Sequence, residues 1–270
     1  MVNILCPLCG QILTAELNRM HCPQGHSFDV ARQGYVHLLP VNHKHSLHPG
    51  DTKEQVAARR AFLDAGYYAP IAQAVGELAR EYCPHAQNIL DVGCGEGYYS
   101  TQVADRFPDA ELYGLDISKD AVRLASGRYK AGHWFCGTAA KLPFDGGFDL
   151  VLSLFALTIP REFLRVLRQD GIFIQVLAGE DHLLGLKGVI YPELLPKEKD
   201  SVPELSGFRL LDSWALRFDF TVEGTQIQNL LSMTPHFWRI SKAGAQRLET
   251  TQRLQDTASI VINIYGVKPD

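Results

Sequence analysis

The spacing of apolar and polar residues changes period several times along this chain. From Lys53 the pattern is helical, with Val56, Arg60 and Leu63 at helical spacing, until Gly66 interrupts it before Tyr67 and Tyr68. Pro70 to Glu81 then resumes as a helix. Beyond it, short apolar runs alternate with helix-like stretches. Ile89 and Leu90 end a first strand, and Tyr98 to Phe107 follow with helical periodicity. Leu112 to Leu115 form a second strand ending at Asp116, ahead of a helix capped by Ser118. His133 to Cys136 make a third strand and Phe148 to Leu154 a fourth. Pro160 to Leu167 is a helix with proline near its start, and Gly171 to Leu177 is a fifth strand. His182 to Val189 and Gly224 to Leu231 read as helices, and Ala258 to Tyr265 alternates like a late strand. Such a βα rhythm predicts an α/β protein built on a parallel sheet.

The N-terminal end lacks this rhythm. Residues 1–37 are dense in Cys, His, Pro and Gly and predict a separate small module. Residues 38–66 predict a flexible linker followed by a basic helix. Its polar stretch from Asn42 to Thr52, with His43, His45, His48, Pro49 and Gly50, predicts a mobile or substrate-facing loop. Residues 67–270 carry the α/β domain.

At 270 residues the chain can bury one full core and carry a small appendage. No window approaches the apolar length of a membrane span, and the N-terminus lacks the basic-then-apolar layout of a signal peptide. Six cysteines are too few for a disulfide scaffold at this length, so a reducing, cytoplasmic setting is expected, with no membrane partner. The net charge of -4 hides a polarity: residues 1–60 carry six Lys/Arg against four Asp/Glu, and six of the ten histidines. One end of the molecule is thereby suited to a phosphate backbone.

The chemistry sits at two places. Cys6-Pro-Leu-Cys9 and Cys22-Pro-Gln-Gly-His26 are two close-spaced ligand pairs. Three thiolates and an imidazole make a closed tetrahedral site for one structural zinc ion, since a catalytic zinc would keep a position for water. His21 competes on paper, but its place beside Cys22 gives it poor reach. Cys83, Cys94 and Cys136 read as small buried hydrophobes. The second place is Asp91-Val-Gly93-Cys-Gly95-Glu96-Gly97, between a strand and a helix. A pyrophosphate loop would set its third glycine one residue later. Glycines at every second position, with carboxylates before and inside the turn, suit a cofactor that has a cationic amino-acid end. S-adenosylmethionine fits that description. Asp91 can steady the loop or accept the ammonium, Asp116 can accept ribose hydroxyls, and Thr138 and Ala139 can flank adenine. Tyr67 or Tyr68 and His182 are placed to reach over the site.

Taken together, these segments resemble the bacterial 23S ribosomal RNA guanine-N1 methyltransferases that carry an N-terminal zinc module. The likeness runs through Cys6–Cys9, Cys22–His26, Gly34-Tyr35-Val36, Ala58 to Leu63, Asp91 to Tyr99, Leu142-Pro143-Phe144, His182-Leu183 and Met233-Thr234-Pro235 with Trp238-Arg239. It implies a class I S-adenosylmethionine-dependent, Rossmann-like fold whose mostly parallel sheet ends in an antiparallel strand. It also implies a hairpin of 23S rRNA as substrate and a homodimer. By matching position it puts Tyr68, Glu96, Gly97, Tyr98 and His182 at the cofactor. One departure stands out: where the family has an aromatic-alanine-proline turn, this chain reads Phe155-Ala156-Leu157. Arg59 and Arg60 form a basic pair suited to phosphate, and Phe155 and Trp238 are candidate stacking surfaces for bases. Two other functions share parts of this pattern: methylation of a small molecule such as a quinone precursor or natural product, and a non-catalytic RNA-binding role in ribosome assembly.

Overall fold

A computed structural model describes residues 2–40, 49–194 and 200–269. Residues 42–48 of the predicted loop lie outside them. The N-terminal segment forms a three-stranded antiparallel sheet of β1 (Thr14–Glu16), β2 (Arg19–His21) and β3 (Ser27–Asp29). Then come β4 (Val36–His37), α1 (Lys53–Asp64), α2 (Ala69–Tyr82), β5 (Asn88–Val92), α3 (Tyr98–Ala104), β6 (Glu111–Asp116), α4 (Lys119–Arg128) and β7 (His133–Cys136). The chain continues through β8 (Phe148–Leu154), α5 (Pro160–Val166), β9 (Leu167–Ala178), α6 (Leu184–Ile190), β10 (Phe208–Glu223), α7 (Thr225–Ser232), α8 (Lys242–Thr250) and β11 (Arg253–Val267).

The large sheet has the order β10-β11-β9-β8-β5-β6-β7-β4. All pairs from β9 to β4 are parallel, whereas β11 on β9 and β10 on β11 are antiparallel. Strand order reverses beside β5, so its carboxyl end opens the crevice where ligands of open α/β sheets bind. Local signals account for several boundaries. Thr52 and Gln55 close a capping box at the start of α1. The Ser118 hydroxyl accepts from the Ala121 amide at the start of α4.

The small module is joined to the large sheet rather than hung beside it. Val36 and His37 pair in parallel with Phe135 and Cys136, so β4 is the sheet's last strand. Ile4 bridges Phe144, and Asn3 bonds the Asp145 carboxylate through its backbone (3.0 Å) and side chain (2.6 Å). Val2, Cys6, Leu13, Met20 and Cys22 share a buried cluster with Leu90, Phe135, Phe144 and Phe148 on one face of the sheet. The opposite face packs against α2, α3 and α4.

Three features differ from the sequence pattern. β10 has no counterpart in it. Helix α6 starts at Leu184, because Leu183 takes a left-handed φ of 58° and leaves His182 in the preceding turn. On α1 the inward stripe is Gln55, Val56, Phe62 and Leu63. Arg59, not Arg60, takes the inward position between them.

Candidate active site and metal centre

Sγ of Cys6, Cys9 and Cys22 and a ring nitrogen of His26 all lie within 4.8 Å of one another. Cys6 Sγ and Cys22 Sγ stand 3.6 and 3.4 Å from His26 Nδ1, and Cys9 Sγ stands 3.6 Å from Cys22 Sγ. Tetrahedral zinc with Zn–S near 2.3 Å and Zn–N near 2.0 Å sets ligand separations of about 3.5–3.8 Å. The four side chains fit that ion. His21 turns instead toward Glu16, at 3.6 Å. Of the other cysteines, Cys94 and Cys136 are buried as expected, but Cys83 is only half-buried.

At the carboxyl end of β5, Asp91 is 2% exposed and its Oδ2 accepts from Ser100 Oγ at 2.6 Å. Its Oδ1 is buried with no partner among the described residues. Burial, less the Ser100 bond, and the nearby Asp116 and Glu96 charges push the carboxyl up to about 7. Glu96, also 2% exposed, has an unpartnered buried Oε1, and burial raises its pKa despite a favourable backbone bond and Arg59. Asp116 ends β6, where its two oxygens accept from the amides of Gly95 (2.9 Å) and Ser118 (2.7 Å). Burial raises its pKa as well. These bonds leave each oxygen a further lone pair for a hydroxyl donor.

The glycines are needed here. Gly97 has a φ of 85°, and a Cβ on it would come within 2.8 Å of the Trp134 ring. Gly93 has a φ of 82°, and its Cβ would fall 2.4 Å from the Ala156 Cβ, so the glycine turn and the loop after β8 touch at that point. Gly137, just past β7, donates to the Asp116 carbonyl at 2.9 Å and sets Thr138 and Ala139 beside the same strand end.

Aromatic groups gather around the opening. Tyr68 caps α2 and is packed against Phe62, Phe220 and His182, with ring centroids 5.0, 5.8 and 6.2 Å away. Tyr67 stacks on Phe62 instead. Phe155 stacks over His182 at 6.2 Å and lies 6.4 Å from Tyr99, and its own φ is 54°. His182 Nδ1 accepts from the Ser259 amide at 3.3 Å. The hydroxyls of Tyr68 and Tyr99 are buried without partners among the described residues, and burial raises both pKa values, so both stay protonated donors. Ser100 and Tyr99 escape the sequence pattern because each is one ordinary residue in a helical turn. Tyr98 is buried beside Tyr99, at 5.1 Å.

The other candidates are more spread out. Arg60 is half-exposed and pairs with Asp64 at 3.4 Å, on the wall of a roughly 500 Å³ groove shared with Lys53, Arg123 and Gln33. Arg59 points the other way, toward the glycine turn, so the expected pair of phosphate ligands is split. Trp238 lies in a 3-10 turn, Pro235–Trp238, and is 68% exposed against Phe237.

Asp91 Oδ1, Glu96 Oε1 and the Tyr68 and Tyr99 hydroxyls, buried without partners among the described residues around a turn that needs its glycines, are the polar groups a bound molecule with donors and acceptors would satisfy. Fold, glycine turn and thiolate cluster together define a class I S-adenosylmethionine-dependent methyltransferase with a structural zinc ribbon. A zinc-ribbon family described as RlmA, N-terminal, matches residues 4–47, and a methyltransferase-domain family matches residues 89–171. The 23S rRNA (guanine(748)-N(1))-methyltransferase of Streptomyces fradiae is 34% identical over 257 residues, covering 94% of this chain and 80% of its own. A Bacillus subtilis protein named for guanine-N1 methylation of 23S rRNA is 30% identical over 277 residues, 97% of this chain and 96% of its own. A Micromonospora griseorubida protein named for the same reaction is 32% identical over 271 residues, 89% and 88%. The chain belongs to the 23S rRNA (guanine-N1)-methyltransferase family.

Proposed function

We propose that this protein transfers a methyl group from S-adenosylmethionine to N1 of one guanine in a hairpin loop of 23S ribosomal RNA. The carrying observation is a four-ligand zinc module packed on one face of the same sheet whose strand end carries the glycine turn and its unpartnered buried carboxylates. A small-molecule methyltransferase has no need of such a module, and a non-catalytic scaffold has no need of buried carboxylates left without partners. The relatives named for this reaction match both parts.

When bound, S-adenosylmethionine supplies an electrophilic methyl group. Asp91 and Glu96 hold its ammonium end, Asp116 the ribose, Gly93, Gly95 and Gly97 admit the backbone close to it, and Thr138 and Ala139 line the adenine. Tyr68, Tyr98 and His182 close the pocket. Guanine N1 carries a proton at neutral pH and faces its pairing partner, so the base must be unpaired, and charge moves toward O6 as the N1 proton is given up to solvent water. Phe155 stacks the base, and the carbonyls around Phe155 and Ala156 orient the N1 proton. Phe155 is fixed for this by its amide bond to the Val176 carbonyl at 2.9 Å. Arg60 and Trp238 take the RNA outside the pocket. The zinc module, residues 1–37, recognises the hairpin, and residues 67–270 do the chemistry. We place the reaction in the cytoplasm, and among the described residues no helix is long and apolar enough to cross a membrane. A homodimer fits Leu210, Leu211 and Trp214, which stay exposed on the outermost strand β10.

The test is transfer from labelled S-adenosylmethionine to large-subunit RNA lacking its N1-methylguanines, with the product mapped by nuclease digestion and mass spectrometry. One N1-methylguanine in a hairpin loop is the expected product. No transfer, with cofactor binding intact, would sink the RNA assignment.

Asp91 adds a pH dependence. In the free protein its carboxyl titrates at about 7, against about 4 when unfolded. Between those values the folded chain holds a proton that the unfolded chain has lost, so this group's contribution to stability falls as pH rises across the window. An ammonium beside Asp91 favours the carboxylate, so binding expels the proton. Affinity for S-adenosylhomocysteine is therefore expected to rise from pH 6 to about 7 and level off above it. Titration calorimetry in buffers of different ionisation heat should detect the proton, and Asp91→Asn should flatten the slope.

A further inference from the structure

Arg59 is a cation on a mostly apolar inward stripe of α1. Gln55, Val56, Phe62 and Leu63 bury the inner face of α1, and Arg59 stands among them with its side chain 25% exposed. Its stem runs along the glycine turn: a Cβ on Gly95 would lie 3.9 Å from Arg59 Cδ. The guanidinium donates to Asp51 through Nη2 at 2.7 Å and Nε at 3.2 Å, both to the same oxygen, and to the Met233 carbonyl at 3.4 Å. Two bonds on one oxygen do not close the fork-to-fork pair that guanidinium makes with a carboxylate at its strongest, and Nη1 lies outside all three contacts. Asp51 is itself half-exposed, so water can replace the bond it gives up.

The surroundings of Arg59 are acidic. Glu96, Asp116, Tyr68 and Tyr99 all feel its charge. Arg128, the other cation near Glu96, is committed to both oxygens of Asp64 at 2.8 and 3.0 Å. A pocket holding Asp91, Glu96 and Asp116 suits an ammonium and a sulfonium and repels the carboxylate at the same end of the amino acid. That carboxylate needs a cation.

We propose that Arg59 binds the α-carboxylate of the cofactor's amino-acid end, exchanging part of its bond to Asp51 for it. The inference rests on the pocket being the S-adenosylmethionine site. Arg59 then belongs to the cofactor side of the enzyme rather than the RNA side, and through the Met233 carbonyl it touches the segment leading to Trp238. An arginine serves here where a lysine would not, because its planar fork can face Asp51 and a second carboxylate from different edges.

The test uses two ligands that differ only in the carboxylate: S-adenosylhomocysteine and its decarboxylated analogue, 5′-deoxy-5′-(3-aminopropylthio)adenosine. Both are titrated calorimetrically into the full-length protein without RNA. The native protein is expected to prefer S-adenosylhomocysteine by about 10- to 100-fold, the range for a charge-assisted bond. Arg59→Gln is expected to collapse that preference to within a few-fold, mainly by losing affinity for the carboxylate ligand. A preference that survives in a folded Arg59→Gln protein overturns the assignment of Arg59 alone. Failure of the native protein to bind S-adenosylhomocysteine overturns the methyltransferase reading and this inference with it. Should Arg59→Gln not fold, Asp51→Asn frees the guanidinium and is expected to widen the preference. An unchanged or narrowed preference overturns the proposal.

Discussion

Chelating the zinc, or replacing Cys22 by serine, is expected to lower RNA methylation at least about 100-fold while S-adenosylhomocysteine still binds within a few-fold of the native affinity. Structural zinc contributes on the order of 10–16 kcal/mol to small modules that fold around it. Strands β1 to β3 are three residues each and mostly exposed, so little else holds them. The pocket draws none of its residues from the module. Its residues stand at the carboxyl ends of β5 to β9 and at the start of α2, and Tyr68, Cys94, Tyr98 and Leu183 beside them belong to the cluster on the other face from Cys6 and Cys22. The melting temperature should also drop, because Leu13 and Met20 would lose their place in the cluster that holds Phe144. Zinc release followed by a metal-sensitive dye, calorimetry and RNA methylation measured on one preparation check all three parts. Full methylation by zinc-free, folded protein would remove the module from RNA recognition.

Gly93→Ala is expected to weaken cofactor binding by about two orders of magnitude. A left-handed backbone costs a residue with a Cβ roughly 1–2 kcal/mol. The larger effect is steric, since the new methyl would sit 2.4 Å from the Ala156 Cβ and one of two loops must yield. If the glycine turn moves, its amide bond from Gly95 to Asp116 is disturbed. If the loop after β8 moves, Phe155 leaves its position over His182. Gly127→Ala is the control: it lies in α4, with nothing within 4 Å of the added carbon, and should bind normally. Calorimetry on the two variants separates the outcomes. Native affinity in Gly93→Ala would mean that the two loops are not coupled.

The central sheet could be read from the chain because each parallel strand is buried on both faces, which leaves short apolar runs bounded by turns. β7 and β8 appear with the residues the pattern predicts. β10 did not show itself for the opposite reason. It pairs on one side only, a register shift between Leu210 and Asp212 breaks its alternation, and Leu210, Leu211 and Trp214 are exposed. The zinc ligands could be read because spacing alone defines them. The site was half legible. Strand-end acids and glycines follow from the motif, whereas the inward turn of Arg59 depends on which face of α1 meets α7. Asp51 as its partner, Ser100 beneath Asp91, and the left-handed Phe155 and Leu183 depend on tertiary packing that no local pattern encodes. Leu157 replaces the family's proline in a loop whose neighbour Thr158 is tied to Gln175 at 2.9 Å.

The pairing of β4 with β7 has a consequence for the order of events during synthesis. The zinc ligands end at His26 and can close on the metal soon after they emerge, but Val36 cannot meet Phe135 until β7 has been made. At roughly 5–20 residues per second that interval is on the order of ten seconds. During it the module is a folded bead followed by an unpaired strand, and the β7 edge of the growing sheet meets a partner that is already in place when it arrives. A metal-starved cell would then yield chains whose β7 edge meets an unfolded segment, open to pairing with another chain.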